Sequence, residues 1–457
     1  MRQKTPQKLL TLVQNCPAPL YIVGGFVRDH LAGLTSEHSD FDLSSPMRAE
    51  VFSEIAKENG FFPTAVYRNT GTVKLSDGEG GDYEYTCFRS DKYVRGEHTP
   101  SEIFFTKDIR LDAKRRDFTA NAVYYDIAAD KFVDPLGGME DIAQKRLRTV
   151  DDANKVFGED GLRLMRLARQ AGQTGFIPTD DCVDGAKRNA SLILDISPER
   201  IFAELNAALL ADKKYGISDG HYRAVKLLDE TRVLDQIFPE LALGRNMAQR
   251  ADFHDHDVLE HSLRAVRYAD ERVRLAALLH DAAKPLCKIR DGNMHAHPVE
   301  GANLVNTYLL RLKAPNKLRE RTVKLVLLHM YDLDGKTSEN KLRRFFVTNA
   351  ELLDELLLIK QADYSACKDD LSESPSNRKW RLLLDKMRSE GAPTKLKELA
   401  VNGRELAETG IESRFLALVL NALLLHCAVN PTDNEKNHLI RLAHALLPQL
   451  IARENKA

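Results

Sequence analysis

Six cysteines, at positions 16, 87, 182, 287, 367 and 427, are all that 457 residues contain, and none stands in Cys-x-x-Cys spacing. That absence excludes a zinc ribbon and a dithiol redox motif, and it fits a reducing, cytoplasmic compartment. No apolar run approaches the roughly 20 residues a membrane span needs, and no apolar segment follows the polar Met1–Thr5 opening as it would in a secretory signal. Charge of one sign is not in excess either: 66 Lys and Arg stand against 67 Asp and Glu, a net charge of -1. The overall balance therefore does not point to nucleic acid, although cations clustered on one face would still bind it. Low-complexity tracts and internal repeats are missing too.

What remains is a globular chain, 43% apolar and 29% charged, long enough for about three domains. Residues 20 to 145 read as mixed α/β. Short strands are expected at Tyr21–Val23, Phe41–Leu43, Thr72–Leu75 and Tyr83–Phe88, the last from alternating aromatic and β-branched residues. Helices are expected after Arg28 and near Met47–Asn59, a mobile loop over Ser90–Pro100, and a closing turn at Asp134–Gly138. Beyond residue 147 apolar residues recur at three and four spacing, as in Leu162, Leu164, Met165, Leu167 and Ala168, so the rest is expected to be helical. Ser372–Ser376 is the most linker-like stretch.

Near the N-terminus, Val23-Gly24-Gly25-Phe26-Val27-Arg28-Asp29 precedes Ser39-Asp40-Phe41-Asp42-Leu43. Residues i and i+2 of a strand share a face, so Asp40 and Asp42 would project together and suit a pair of divalent cations. Without a Cβ, the Gly24-Gly25 backbone can approach a triphosphate closely. An isolated Asp-x-Asp is more often a solvated turn, and the glycines upstream change its meaning. A second cluster is Asp112-Ala113-Lys114-Arg115-Arg116-Asp117-Phe118-Thr119-Ala120-Asn121-Ala122. Its arginines suit a triphosphate, and Asp117 and Asn121 would fix those arginines or a ribose; a charged helix start is the plainer alternative. In the third, Glu159-Asp160-Gly161-Leu162-Arg163-Leu164-Met165-Arg166, Asp160 and Arg163 would share one helix face. A carboxylate beside a guanidinium matches the pairing edge of cytosine; a surface ion pair would have the same spacing.

Together these segments resemble the class II tRNA nucleotidyltransferase and bacterial poly(A) polymerase superfamily. Ser197-Pro198-Glu199-Arg200-Ile201, with Glu204, resembles the motif that braces the helix selecting the nucleotide. The resemblance implies an α+β chain: a polymerase-beta-like nucleotidyltransferase head with a mixed sheet (1–146), an all-α neck (147–246), an HD-type helical body (247–368) and a helical, tRNA-binding tail (369–457). It implies addition of CCA to the tRNA acceptor arm from CTP and ATP, without a nucleic-acid template and with no obligate protein partner. Asp40 and Asp42 would carry Mg²⁺ and Glu84 would be the third catalytic acid. Gly24, Gly25, Arg28, Arg116, Asp117, Asn121, Asp160, Arg163 and Arg166 would bind or select the nucleotide. Arg89–His98 occupies the place of the loop that switches the family from C to A. CC addition, A addition and poly(A) synthesis are the sister activities.

Further along, Leu259-Glu260-His261, Leu279-His280-Asp281-Ala282-Ala283-Lys284, His295-Ala296-His297, Leu328-His329 and Ala362-Asp363 follow in order. Histidines, a His-Asp pair and a distant aspartate on separate helices can converge on a divalent cation with open water positions. Singly, each histidine is more often packed or at the surface. The order resembles the HD phosphohydrolase superfamily, which implies His261, His280, Asp281 and Asp363 as ligands of a divalent metal, His297 and His329 as further ligands, and Lys284 as a phosphate contact. His254 and His256 are expected at the surface or as local substrate contacts. A hydrolase with a vestigial head is the rival reading of the whole chain, and intact Asp40, Asp42 and Glu84 argue against it.

Overall fold

A computed structural model describes residues 1–35, 41–92, 101–252 and 254–454. The chain divides into two compact units, one of Met1–Leu243 with Tyr308–Ala314, the other of Gly244–Thr307 with Pro315–Ala457.

Among the described residues the first 145 carry nine strands with helices interleaved: β1 Tyr21–Val23, β2 Phe41–Ser45, β3 Phe62–Tyr67, β4 Thr72–Ser76, β5 Asp82–Cys87, β6 Arg89–Lys92, β7 Glu102–Phe105, β8 Tyr124–Asp126 and β9 Lys131–Val133. Seven of them form one sheet in the order β3-β4-β5-β2-β1-β8-β9. Only β2 and β5 pair in parallel, so the expected mixed sheet is present. In β5 the alternation works as the sequence suggests: Tyr83, Tyr85 and Cys87 are buried and Asp82 and Glu84 are exposed. Tyr85 stacks on Phe52 of the Ala49–Glu58 helix, ring centroids 3.7 Å apart.

Several expectations change. The helix after β1 starts at Gly25 and holds Arg28 in its interior, ending at Gly33 with φ 68°. The expected mobile stretch begins as a strand, because β6 pairs with β7 from Arg89↔Phe105 to Lys92↔Glu102; residues 93–100 lie outside the described residues. Its charged residues hide the pairing from an alternation argument. β3 was hidden for a related reason: it is an edge strand with Phe62 and Tyr67 both exposed. Ser372–Ser376 is a helix entry rather than a linker. Ser374 is buried and its Oγ accepts from the Asn377 N–H at 3.1 Å at the start of the Pro375–Ser389 helix.

After residue 150 the chain is helical apart from a two-residue parallel ladder between Arg146–Leu147 and Ile177–Pro178. In the second unit one core runs from Ala265 to Ala443 around Trp380, Leu356 and Leu423. No helix among the described residues is long and apolar enough to cross a membrane.

Candidate functional site

Strand register builds the centre of the head. β2 pairs with β5 so that Asp42 lies beside Glu84, and β1 places Val23 on the other side of Asp42. Both carboxylates project from the same exposed face, on strands about 4.8 Å apart. Gly24 follows Val23 directly with φ +85°, and a Cβ there would come within 2.7 Å of Asp42 Oδ2. The backbone angle requires glycine, and a Cβ would also press on the Asp42 carboxylate. Asp40 lies outside the described residues.

A cavity of about 510 Å³ opens over this row. It gathers Gly24, Gly25, Arg28, Asp42, Glu84, Arg116, Asp117, Asn121, Asp160, Arg163 and Arg166, the whole catalytic and nucleotide-binding set implied by the resemblance except Asp40. Arg115 and Arg116 are aimed by one buried carboxylate. Asp112 Oδ1 accepts from Arg115 Nε at 2.8 Å, while Oδ2 accepts from Arg116 at 3.2 Å and from the Tyr124 hydroxyl at 2.6 Å. Burial alone would raise the Asp112 carboxyl; the two guanidiniums and the tyrosine outweigh it and hold it below the ordinary carboxylate value.

Arg28 is buried, and its guanidinium donates to Asp29 at 2.6 Å, Asn121 Oδ1 at 2.7 Å and Gln170 Oε1 at 3.2 Å. Asn121 in turn donates to Asp117 Oδ1 at 2.8 Å. Asp117 bonds not to Arg115 or Arg116 but to the neck, accepting from Arg166 Nε at 2.8 Å and Gln170 Nε2 at 3.2 Å. Burial opposes the Asp117 charge, yet Arg166 and Asn121 keep its carboxyl well below the ordinary range.

The neck differs from the expected single helix face. Asp160 sits in a break between the Ala153–Glu159 and Leu162–Thr174 helices, and its Oδ1 accepts from the Leu162 N–H at 2.9 Å. The break is at Asp160 itself, whose backbone is extended (φ -146°, ψ 106°), and Gly161 lets the junction pack closely, since a Cβ there would meet the Leu192 carbonyl oxygen at 2.3 Å. Arg163 is buried, donating to Glu159 at 3.1 Å and to the Val156 and Arg115 carbonyls at 2.9 and 2.6 Å. Glu204, on the Pro198–Leu209 helix, accepts from Arg169 at 2.5 Å and ties that helix to the neck helix. Gln170 escaped the sequence reading; a glutamine on a charged amphipathic helix carries no signal that it will be buried. Lys214 and Arg200 also line the cavity.

The second unit holds a separate cluster. His261, His280, Asp281, His297, His329 and Asp363 come from different helices or their ends. His261 Nε2 is 3.2 Å from His280 Nε2 and 3.0 Å from Asp363 Oδ1. His297 Nε2 lies 3.3 Å from both His329 Nε2 and Asp281 Oδ1. The Nδ1 atoms of His280, His297 and His329 sit 2.8, 2.7 and 2.6 Å from backbone carbonyls. Donation of Nδ1–H there would leave each Nε2 lone pair for a cation. Both Asp281 carboxylate oxygens are buried; Oδ2 lies 2.6 Å from Lys284 Nζ and 3.2 Å from His280 Nε2. Burial disfavours the His280 imidazolium, but Asp281 and Asp363 raise its pKa to about 10; burial drives His329 down to about 3. Crowded imidazole nitrogens around buried carboxylate oxygens fit a divalent metal. His254, expected at the surface, is half-buried with its ring edge-on to His261, centroids 4.9 Å apart, and it approaches Cys367 as well.

A glycine turn is seated on a row of carboxylates, faced by guanidiniums and joined to a helical neck. Comparison with known proteins takes this further. The Poly A polymerase head domain family matches residues 20–148, the probable RNA and SrmB-binding site of polymerase A matches 175–243, and the HD domain family matches 253–366. An A-adding tRNA nucleotidyltransferase from Deinococcus radiodurans is 30% identical over 388 residues, covering 81% of this chain and 82% of that protein. A CCA-adding enzyme from Geobacillus sp. is 34% identical over 232 residues, 49% of this chain and 53% of that protein. The crystal structure of the Bacillus stearothermophilus CCA-adding enzyme in complex with CTP aligns over 99% of both chains with a TM-score of 0.63 and 26% identity. The chain belongs to the tRNA nucleotidyltransferase and poly(A) polymerase family.

Proposed function

We propose that this enzyme adds the CCA end to tRNA from CTP and ATP, releasing pyrophosphate at each step. The observation that carries the reading is the Asp42–Glu84 register pair with Gly24 packed on the Asp42 carboxylate. On this reading residues 1–146 are the catalytic head, 147–246 the nucleotide-selecting neck, 247–368 the HD-type body and 369–457 a tRNA-binding tail. The tRNA 3′-hydroxyl attacks the α-phosphate; the new O–P bond forms as the bond to the β-phosphate oxygen breaks. Asp42, with Asp40, would hold Mg²⁺, which suits carboxylate oxygens and supplies charge for the attacking and leaving oxygens. Glu84 favours loss of the hydroxyl proton. The Gly24-Gly25 backbone, Arg115 and Arg116 hold the triphosphate, and Asp160, Arg163 and Arg166 face the base. A addition alone is the second reading, favoured by the Deinococcus relative.

The histidine–aspartate cluster is a divalent-metal centre for phosphoester hydrolysis, with His261, His280, Asp281 and Asp363 as ligands, His297 and His329 as further ones, and Lys284 toward the phosphate. Two variants test both assignments on tRNA and on a chromogenic phosphodiester. Asp42→Ala should lose nucleotide addition by at least about 10³-fold and keep hydrolysis, while His280→Ala should do the reverse. Addition that survives Asp42→Ala would refute the head assignment.

A further inference from the structure

Three metal-type donors meet in the tail, outside both centres described above. His426 lies in the last turn of the Ser413–Val429 helix, Asp433 in the short turn Pro431–Asp433, and His438 in the first turn of the Lys436–Glu454 helix. His426 Nε2 is 2.7 Å and His438 Nε2 3.8 Å from the same oxygen, Asp433 Oδ2. These separations bracket the roughly 3.4 Å between donors on a tetrahedral zinc with bonds of about 2.1 Å. A simple ion pair needs one imidazole; here two converge on one carboxylate oxygen.

The turn is held in place from outside. Asn434 Oδ1 accepts from the Ala400 N–H at 2.8 Å, and its Nδ2 donates to the Glu398 carbonyl at 2.9 Å. Buried Cys427 and Leu439 anchor the two helices next to His426 and His438. The three donors are 30%, 33% and 40% exposed, so solvent reaches the fourth position.

We propose that His426, Asp433 and His438 form a surface site for a borderline divalent cation of the Zn²⁺ class. Two imidazole nitrogens and one carboxylate oxygen suit Zn²⁺, Co²⁺ or Ni²⁺; Mg²⁺ and Ca²⁺ demand oxygen-rich sets. Binding takes neutral imidazoles and releases any proton they carry. The ion staples the end of one tail helix to the start of the next.

The test is Zn²⁺ titration of the metal-free full-length chain by calorimetry and equilibrium dialysis, comparing wild type, His438→Ala and Asp433→Asn. The expected result is one zinc fewer in each variant, or that zinc bound at least about tenfold more weakly, while ions in the HD-type cluster are retained. The metal-free melting temperature of His438→Ala should match wild type; if it falls, His438→Gln replaces it in the same titration. Unchanged stoichiometry and affinity in the variants would overturn the proposal and leave an ordinary His426–Asp433 pair.

Discussion

Gln170 accepts from Arg28 and Asn121, the latter at 2.9 Å, and donates to Asp117. Gln170→Leu therefore removes one hydrogen bond from each of three buried polar groups at once. A stability loss of about 1–3 kcal/mol is expected, measured by urea unfolding, together with a raised nucleotide KM because Arg28 and Asp117 lose one of the two side chains that bridge them. Asp117 itself has a pH signature. Its folded pKa is depressed, against the opposing effect of burial, by Arg166 and Asn121. Its contribution is then fully present above the unfolded value of about 3.9 and lost as pH falls through the folded value. The stability gap between wild type and Asp117→Asn should be flat from neutral pH to about pH 5 and narrow below about pH 4; a gap that stays constant to pH 3 would show that the charge is irrelevant. At this scale Asp42 was legible from the Asp-x-Asp spacing after a glycine pair, and Glu84 only from the family resemblance. Gln170 was not, because burial of a polar side chain depends on partners distant in sequence.

Among the elements, β1, β2, β4 and β5 were legible from alternation and β-branched content, and the neck helix from its three and four spacing. The parallel pairing of β2 with β5 was not, since register across two intervening strands is decided by packing. Nor was the helix break at Asp160-Gly161, where Asp160 turns extended and Gly161 packs against the Leu192 carbonyl. Gly161→Ala tests that break. At 2.3 Å from a backbone oxygen the new Cβ cannot be accommodated by a side-chain rotation, so about 1–3 kcal/mol of destabilisation is expected. Base selection should loosen too, because Asp160 and Arg163 flank the shifted junction; a variant with wild-type melting and fidelity would contradict this geometry.

Over the whole molecule, a net charge of -1 conceals strong local asymmetry. The head-and-neck cavity is lined by nine cationic side chains against five carboxylates, which suits a triphosphate and an RNA end while acids elsewhere restore the balance. The HD-type region and the tail share a single hydrophobic core, so their boundary could not be read from composition. The most direct measurement supplies the purified chain and Mg²⁺ with tRNAs ending at the discriminator base, after the first C, and after the second C. CTP, ATP or both are added, and the products are resolved to single nucleotides. All three should grow to a common CCA end and then stop. Addition of A alone, only to the tRNA that already ends in CC, would contradict complete CCA synthesis; no extension of any tRNA would contradict the nucleotidyltransferase assignment itself.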